Sequence, residues 1–264
     1  LEAGIIRTIG DPERRFREDP VRMMRALEYS ARLGFEIEPR TYNAIAECRD
    51  AIAEASPARL SYELFETLRS GGSAKIYSAW RKAGLFGLAF ESVGGRIEED
   101  IRVLQAVDRA IRRGERLSDA SLVGALYLHQ FFREYSALAP ETGKLDNIEM
   151  LNRMAAMLEP ASTNLRLANH TLHLVSQGLF TLTKMQRPPE RGRQVLKLAR
   201  HEYFNVAWGL FGLAAAVGLV PDEVFAAWSK AIGRLKKRNE DPAGDRPPTR
   251  ARSRRRPRRR GRRR

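Results

Sequence analysis

Three times in its first 57 residues this chain places a capping side chain directly before a proline: Asp11-Pro12, Asp19-Pro20 and Ser56-Pro57. An Asp or Ser oxygen can accept from the free N–H groups of a first helical turn, and a proline at the first helical position has no N–H to leave unpaired. The pattern predicts helix starts. Glycines supply matching stops at Gly34, Gly71-Gly72 and Gly84. Apolar residues return at three- and four-residue spacing along most of the chain, and strand-like alternation is scarce. The reading is all-α, with no sheet expected. Helices are expected from Asp11-Pro12, then over 19–34, 39–55 and 56–71, with a short amphipathic one from Ser73 closed by Gly84. Further helices are expected over 98–113, 118–137 and 145–158. After a boundary near Pro160 they follow over 163–185, 189–201, 203–219 and 221–237.

Charge divides the chain unevenly. Of the net +15, the segment from Glu240 onward carries +9, as 12 arginines against three acidic residues. Arg234, Lys236, Lys237 and Arg238 add +4, which leaves +2 for Leu1–Gly233. The tail at 239–264 has almost nothing apolar to bury and repels itself, so disorder is expected there. It is a natural arm for a polyanion. The remainder, in a chain 43% hydrophobic, can bury a core. A single cysteine, Cys48, excludes an intrachain disulfide and points to a reducing, cytoplasmic setting. The longest apolar run, Val206–Val220, has 15 residues. A bilayer needs about 20, so a buried helix is expected and no membrane partner. The chain opens at Leu1 without a methionine, which reads as a piece of a longer protein.

The stretch Arg14–Phe35 is unusual for a plain structural helix. On a helix from Asp19, the residues Arg22, Arg25, Tyr29 and Arg32 share one face, while Met24, Leu27 and Ala31 share another and can pack inward. Guanidiniums aligned on one edge repel unless an anion lies among them, and Arg suits phosphate and the forked edge of a base. Asp19 beside Arg22 offers one acceptor and a fork of donors, enough to read a Watson–Crick edge. The alternative is that Asp19 merely caps the helix while Arg22 and Arg25 pair with Glu18, Glu28 or a neighbouring helix. Helix physics alone favours that alternative.

The run Ile9–Pro39 resembles the neck segment of the bacterial class II nucleotidyltransferases, the poly(A) polymerases and CCA-adding tRNA nucleotidyltransferases. The resemblance implies an array of neck, body and tail helices, divided at 1–70, 71–160 and 161–238. It implies that Asp19 and Arg22 hydrogen-bond the incoming base of ATP, that Glu18 helps hold the motif, and that Arg25 orients Asp19 or the nucleotide. Arg14, Arg15 and Arg17 would lie near substrate phosphates. Ser56–Phe86 also resembles the family, and there Arg59 and Glu63 would form a structural pair. Thr181–Gly218 and the arginine-rich end resemble the poly(A) branch in particular. The implied activity is transfer of AMP from ATP to RNA 3′ ends. The alternatives are a fragment of a CCA-adding enzyme, which also takes CTP, and a stand-alone RNA-binding helical module.

The family's chemistry uses Mg²⁺ held by an Asp-x-Asp pair on a head domain, and this chain contains no Asp-x-Asp. The head would precede Leu1, so no catalytic or metal-binding residue is expected here. Glu98–Asp100 and Asp146–Glu149 read as solvated or capping charges. His170 and His173 are two ligands at most and make no zinc site. Gly71–Lys75 lacks the spacing of a phosphate loop. Trp80, Trp208 and Trp228 lie in apolar helical contexts and read as core. The RNA backbone is expected along Lys184, Arg187, Arg191, Arg193, Lys197 and Arg200, joined by tail arginines including Arg254, Arg255 and Arg256.

Overall fold

Asp11 does what its place before Pro12 predicts: its side chain accepts from the Arg14 N–H at 3.0 Å and opens α1 (Pro12–Glu18). The computed structural model describes residues 3–240 apart from 92, 139–144, 165 and 191. Helices dominate these residues. After α1 come α2 (Val21–Leu33), α3 (Pro39–Cys48), a 3₁₀ segment (Arg49–Glu54), α4 (Pro57–Arg69), α5 (Ser73–Lys82), α6 (Leu85–Ala89) and α7 (Ile97–Arg112). Then follow α8 (Asp119–Leu126), α9 (Leu128–Leu138), α10 (Asn147–Asn164), α11 (Asn169–Thr183), α12 (Gly192–Ala199), α13 (Phe204–Ala216) and α14 (Asp222–Glu240). Among the described residues the one pairing of strands is a two-residue parallel bridge, β1 (Ile5–Ile6) with β2 (Glu36–Ile37). It ties the residues before α1 to the residues after α2.

Several expected boundaries move, each for a local reason. Asp19 and Ser56 do not cap with their side chains: their carbonyls accept the first-turn N–H groups, and the Asp19 carboxylate is used elsewhere. The helix expected over 118–137 divides at Tyr127, whose φ of −107° and ψ of 1° leave the helical range. Pro160 does not end α10, which continues to Asn164. Proline removes one ladder N–H at a cost of about 3 kcal/mol. Burial of Met157, Leu158 and Ala161 against the core offsets it. The expected tail begins late, since α14 takes in Asn239 and Glu240; its remainder lies outside the described residues.

A continuous buried cluster runs from Phe16 to Ile232. In it α5 packs between α2 and α7, while α13 packs on α7, α8 and α11. Two glycines allow the closest approaches. A Cβ on Gly178 would lie 2.7 Å from Val206 of α13, and one on Gly124 would lie 2.9 Å from Leu210. Trp80 and Trp228 are fully buried, and Trp208 is partly buried and stacked on Phe225.

The Glu98–Asp100 run is not a uniformly solvated one. Asp100 is buried, accepting from the Tyr77 hydroxyl and from the Gly95 N–H at 3.0 Å. Burial pushes its carboxyl above the usual range, and burial likewise pushes the Tyr77 phenol up. Asp146 is a capping charge as expected, accepting from the N–H groups of Ile148 and Glu149. No helix among the described residues is long and apolar enough to cross a membrane.

Candidate functional site

The bridge between β1 and β2 has a consequence for the surface beside α2. It holds residues 5–8 alongside that helix, and the Thr8 N–H donates to Thr41 Oγ1 at 3.3 Å. Between this segment and α2 lies an open cleft of about 460 Å³. Arg7, Arg15, Arg22, Arg25 and Tyr29 line it, over a floor that includes Phe16 and Ala26. Of the expected nucleotide residues the cleft therefore gathers Arg15, Arg22 and Arg25. Tyr29 joins them by the i, i+3, i+7 spacing.

Glu18 and Asp19 act on these arginines. Glu18 accepts from Arg15 Nη1 at 2.9 Å and Arg14 Nε at 3.0 Å, and these two guanidiniums hold its carboxyl below the ordinary value. Asp19 Oδ2 accepts from Arg59 Nη2 at 3.0 Å and from Arg22 Nε at 3.4 Å. Its Oδ1 lies 2.9 Å from Arg59 Nη1 but off the line of that donor, so charge rather than a hydrogen bond holds it. Burial pushes the Asp19 carboxyl up. Arg59 and Arg22 outweigh burial, and the net direction is down.

The expected Arg59–Glu63 pair is absent. Both side chains reach from α4 to the α2 side instead: Arg59 to Asp19, and the buried Glu63 to Arg25. Glu63 Oε1 accepts from Arg25 Nε at 2.8 Å and Nη2 at 2.6 Å, which raises the Arg25 pKa. One helical turn brings Arg59 and Glu63 onto the same face of α4, but opposite charges on the facing helix offer shorter contacts. Arg25 thus reaches Glu63 rather than Asp19. Arg32, expected on the same face as Arg22 and Arg25, pairs with Glu28 at 2.8 Å and does not line the cleft.

Arg7 and Thr41 escaped the reading of the sequence. Arg7 lies in no helix, so helical spacing could not place it. It borders the cleft through a strand bridge between residues some thirty positions apart. Among the described residues no group of three His, Cys, Asp or Glu side chains could hold a metal ion. His170 and His173 are both exposed on α11. Gly71–Lys75 holds no empty phosphate site: the first N–H groups of α5 are occupied by Asp108.

A second positive surface lies at the α11–α12 turn. Lys184, Arg187, Arg193, Lys197 and Arg200 are all exposed there. Arg191, Arg254, Arg255 and Arg256 lie outside the described residues.

Comparison with known proteins gives these features a setting. A family model described as the probable RNA and SrmB-binding site of polymerase A matches residues 34–93. Poly(A) polymerase I of Salmonella typhi is 29% identical over 271 residues, covering 96% of this chain and 58% of the relative. The CCA-adding enzyme of Bacillus licheniformis is 38% identical over 82 residues, 31% of this chain and 21% of that enzyme. The crystal structure of the Bacillus stearothermophilus CCA-adding enzyme in complex with CTP shares the fold, with a TM-score of 0.51 and 22% identity over 89% of this chain and 51% of that one. The chain thus spans 58% of the length of a curated relative that matches it almost throughout. In sequence the chain is similar to bacterial poly(A) polymerases over most of its length and to CCA-adding enzymes over about a third of it.

Proposed function

We propose that this chain is part of an ATP-dependent RNA 3′-end adenylyltransferase, a poly(A) polymerase of the bacterial cytoplasm that acts on mRNA and other RNA ends. In this reading residues 1–70 read the nucleotide, 71–160 support them and 161–238 hold RNA. The observation that carries it is the cleft beside α2, where four guanidiniums and a tyrosine ring surround one opening. Arg22 presents its fork to the base with Asp19 as the paired acceptor. Arg7 and Arg15 face the phosphates, and Tyr29 offers a ring to the base or sugar. Arg59 and Glu63 keep Asp19 and Arg25 in place without taking part themselves. Mg²⁺ would serve the phosphoryl transfer, but the residues described here do not fit it, and none of them is assigned to it.

Equilibrium dialysis of the chain against labelled ATP and CTP tests the reading. The parent is expected to retain ATP in preference to CTP. A forked base contact contributes about 1–3 kcal/mol of discrimination, so Arg22→Ala should lose roughly 5- to 150-fold of that preference. Equal retention of ATP and CTP by the parent favours the CCA-adding alternative. Retention of neither nucleotide, with RNA still bound, favours the stand-alone RNA-binding module.

A further inference from the structure

The positive surface at the α11–α12 turn offers more than charge. Over 184–203 six cations oppose only Glu190 and Glu202. The five described cations have no ion-pair partner among the described residues. In their midst is a shallow hollow of about 240 Å³ lined by Lys184, Gln194, Lys197, Leu198 and His201. His201 is exposed and stacked on Tyr203, with ring centroids 4.8 Å apart and planes only 7° apart.

The hollow is held open by its surroundings. Lys184 lies 4.9 Å from the Phe180 ring centroid, a cation–π contact that keeps its ammonium at the rim. The Trp228 indole N–H donates to the Arg187 carbonyl at 2.9 Å and pins the α11–α12 turn to α14. A run of phosphates calls for cations alone. An apolar hollow bordered by an exposed, already stacked ring is suited to a flat heterocycle, because any base has a π-face to add to such a stack.

We propose that this hollow takes one unpaired RNA base, stacked on His201, with the flanking phosphates held by Lys184 and Lys197. The inference rests on the RNA-holding part of the function proposed above. It adds that the surface selects single strands, since the bases of a duplex are already stacked on one another and cannot enter.

The test is fluorescence-anisotropy binding of the full chain at about 0.3 M salt, where the Debye length is below 10 Å and the arginine tail is partly screened. The probes are a short labelled oligoadenylate, an abasic ribose-phosphate oligomer of equal length and an RNA duplex. Stacking on one base is worth about 1–3 kcal/mol, so His201→Ala should weaken oligoadenylate binding roughly 5- to 150-fold. Its binding to the abasic oligomer and the duplex should not change. His201→Phe, which keeps a ring, should restore most of the oligoadenylate affinity. Lys197→Ala should weaken all three probes and lower the salt slope by about 0.7 for the single strands. Parental affinity in His201→Ala alongside weakened binding in Lys197→Ala overturns the stacking inference and leaves the RNA-holding reading intact. Parental affinity in both variants overturns both. If His201→Ala does not fold, the parent itself decides: equal affinity for oligoadenylate and the abasic oligomer overturns the stacking inference.

Discussion

Asp108→Ala is expected to destabilise the fold by about 3–5 kcal/mol. Asp108 is buried on α7, and its carboxylate is the N-terminal cap of α5. Oδ1 accepts from the Ser73 N–H at 2.8 Å and the Ser73 hydroxyl at 2.7 Å, and Oδ2 accepts from the Ala74 N–H at 3.1 Å. No side chain of its own caps α5. Removing the carboxylate leaves two backbone donors buried without partners, each costing about 1–3 kcal/mol, and the hydroxyl adds to this. For a chain of this size the melting temperature should fall by roughly 6–20 °C. Asp108→Asn keeps one acceptor oxygen but turns an NH₂ towards the other donor, so its melting temperature should lie between those of the parent and Asp108→Ala. Differential scanning calorimetry of the three proteins settles the order. Coincident melting of Asp108→Ala with the parent would remove Asp108 as the cap. The effect should reach the candidate site as well. Trp80 of α5 donates its indole N–H to the Met24 carbonyl at 2.9 Å, and Met24 lies between Arg22 and Arg25 on α2.

Asp108 also shows where reading the sequence stops. Helix existence is legible because it depends on local patterns: apolar spacing, a proline at the first position, a glycine beyond the end. Every helix expected has a counterpart near its predicted place. Partner choice is a tertiary matter. Asp11 caps its own helix, but Asp19, in the same sequence setting, gives its carboxylate to Arg59 forty residues later. Asp108 caps a helix that begins thirty-five residues before it. Arg59 and Glu63 sit one turn apart, yet each finds a closer opposite charge across the groove between α2 and α4. The same limit governs the candidate site. Arg22, Arg25 and Tyr29 share a helix face and are legible by spacing alone. Arg7 reaches the cleft only because Ile5 and Ile6 pair with Glu36 and Ile37, and two residues of parallel pairing leave no readable alternation in the sequence.

Removing residues 241–264 should change RNA binding more than any point substitution. The cut falls after Glu240, the last described residue of α14, so the described part of that helix stays whole. It removes 12 arginines and two acidic residues. If half of the arginines each neutralise one phosphate of a single strand, the slope of log K against log salt should fall by about 4, at roughly 0.7 per phosphate. Affinity at low salt should fall by a factor on the order of 10²–10³. Filter binding of labelled poly(A) and of tRNA across a salt series measures both quantities for the parent and the truncated chain. Contacts of this kind are blind to sequence, so poly(A) and tRNA should lose the same factor. A salt slope unchanged by the truncation would show that the tail does not touch RNA. What remains after truncation is then informative in its own right, because the exposed cations at the α11–α12 turn remain as a positive surface without the tail. A residual preference for poly(A) over tRNA would place strand selection on that surface, in keeping with a polyadenylating enzyme. A residual preference for tRNA would instead assign recognition of a folded RNA to the helical part of the chain, which is what a CCA-adding enzyme requires.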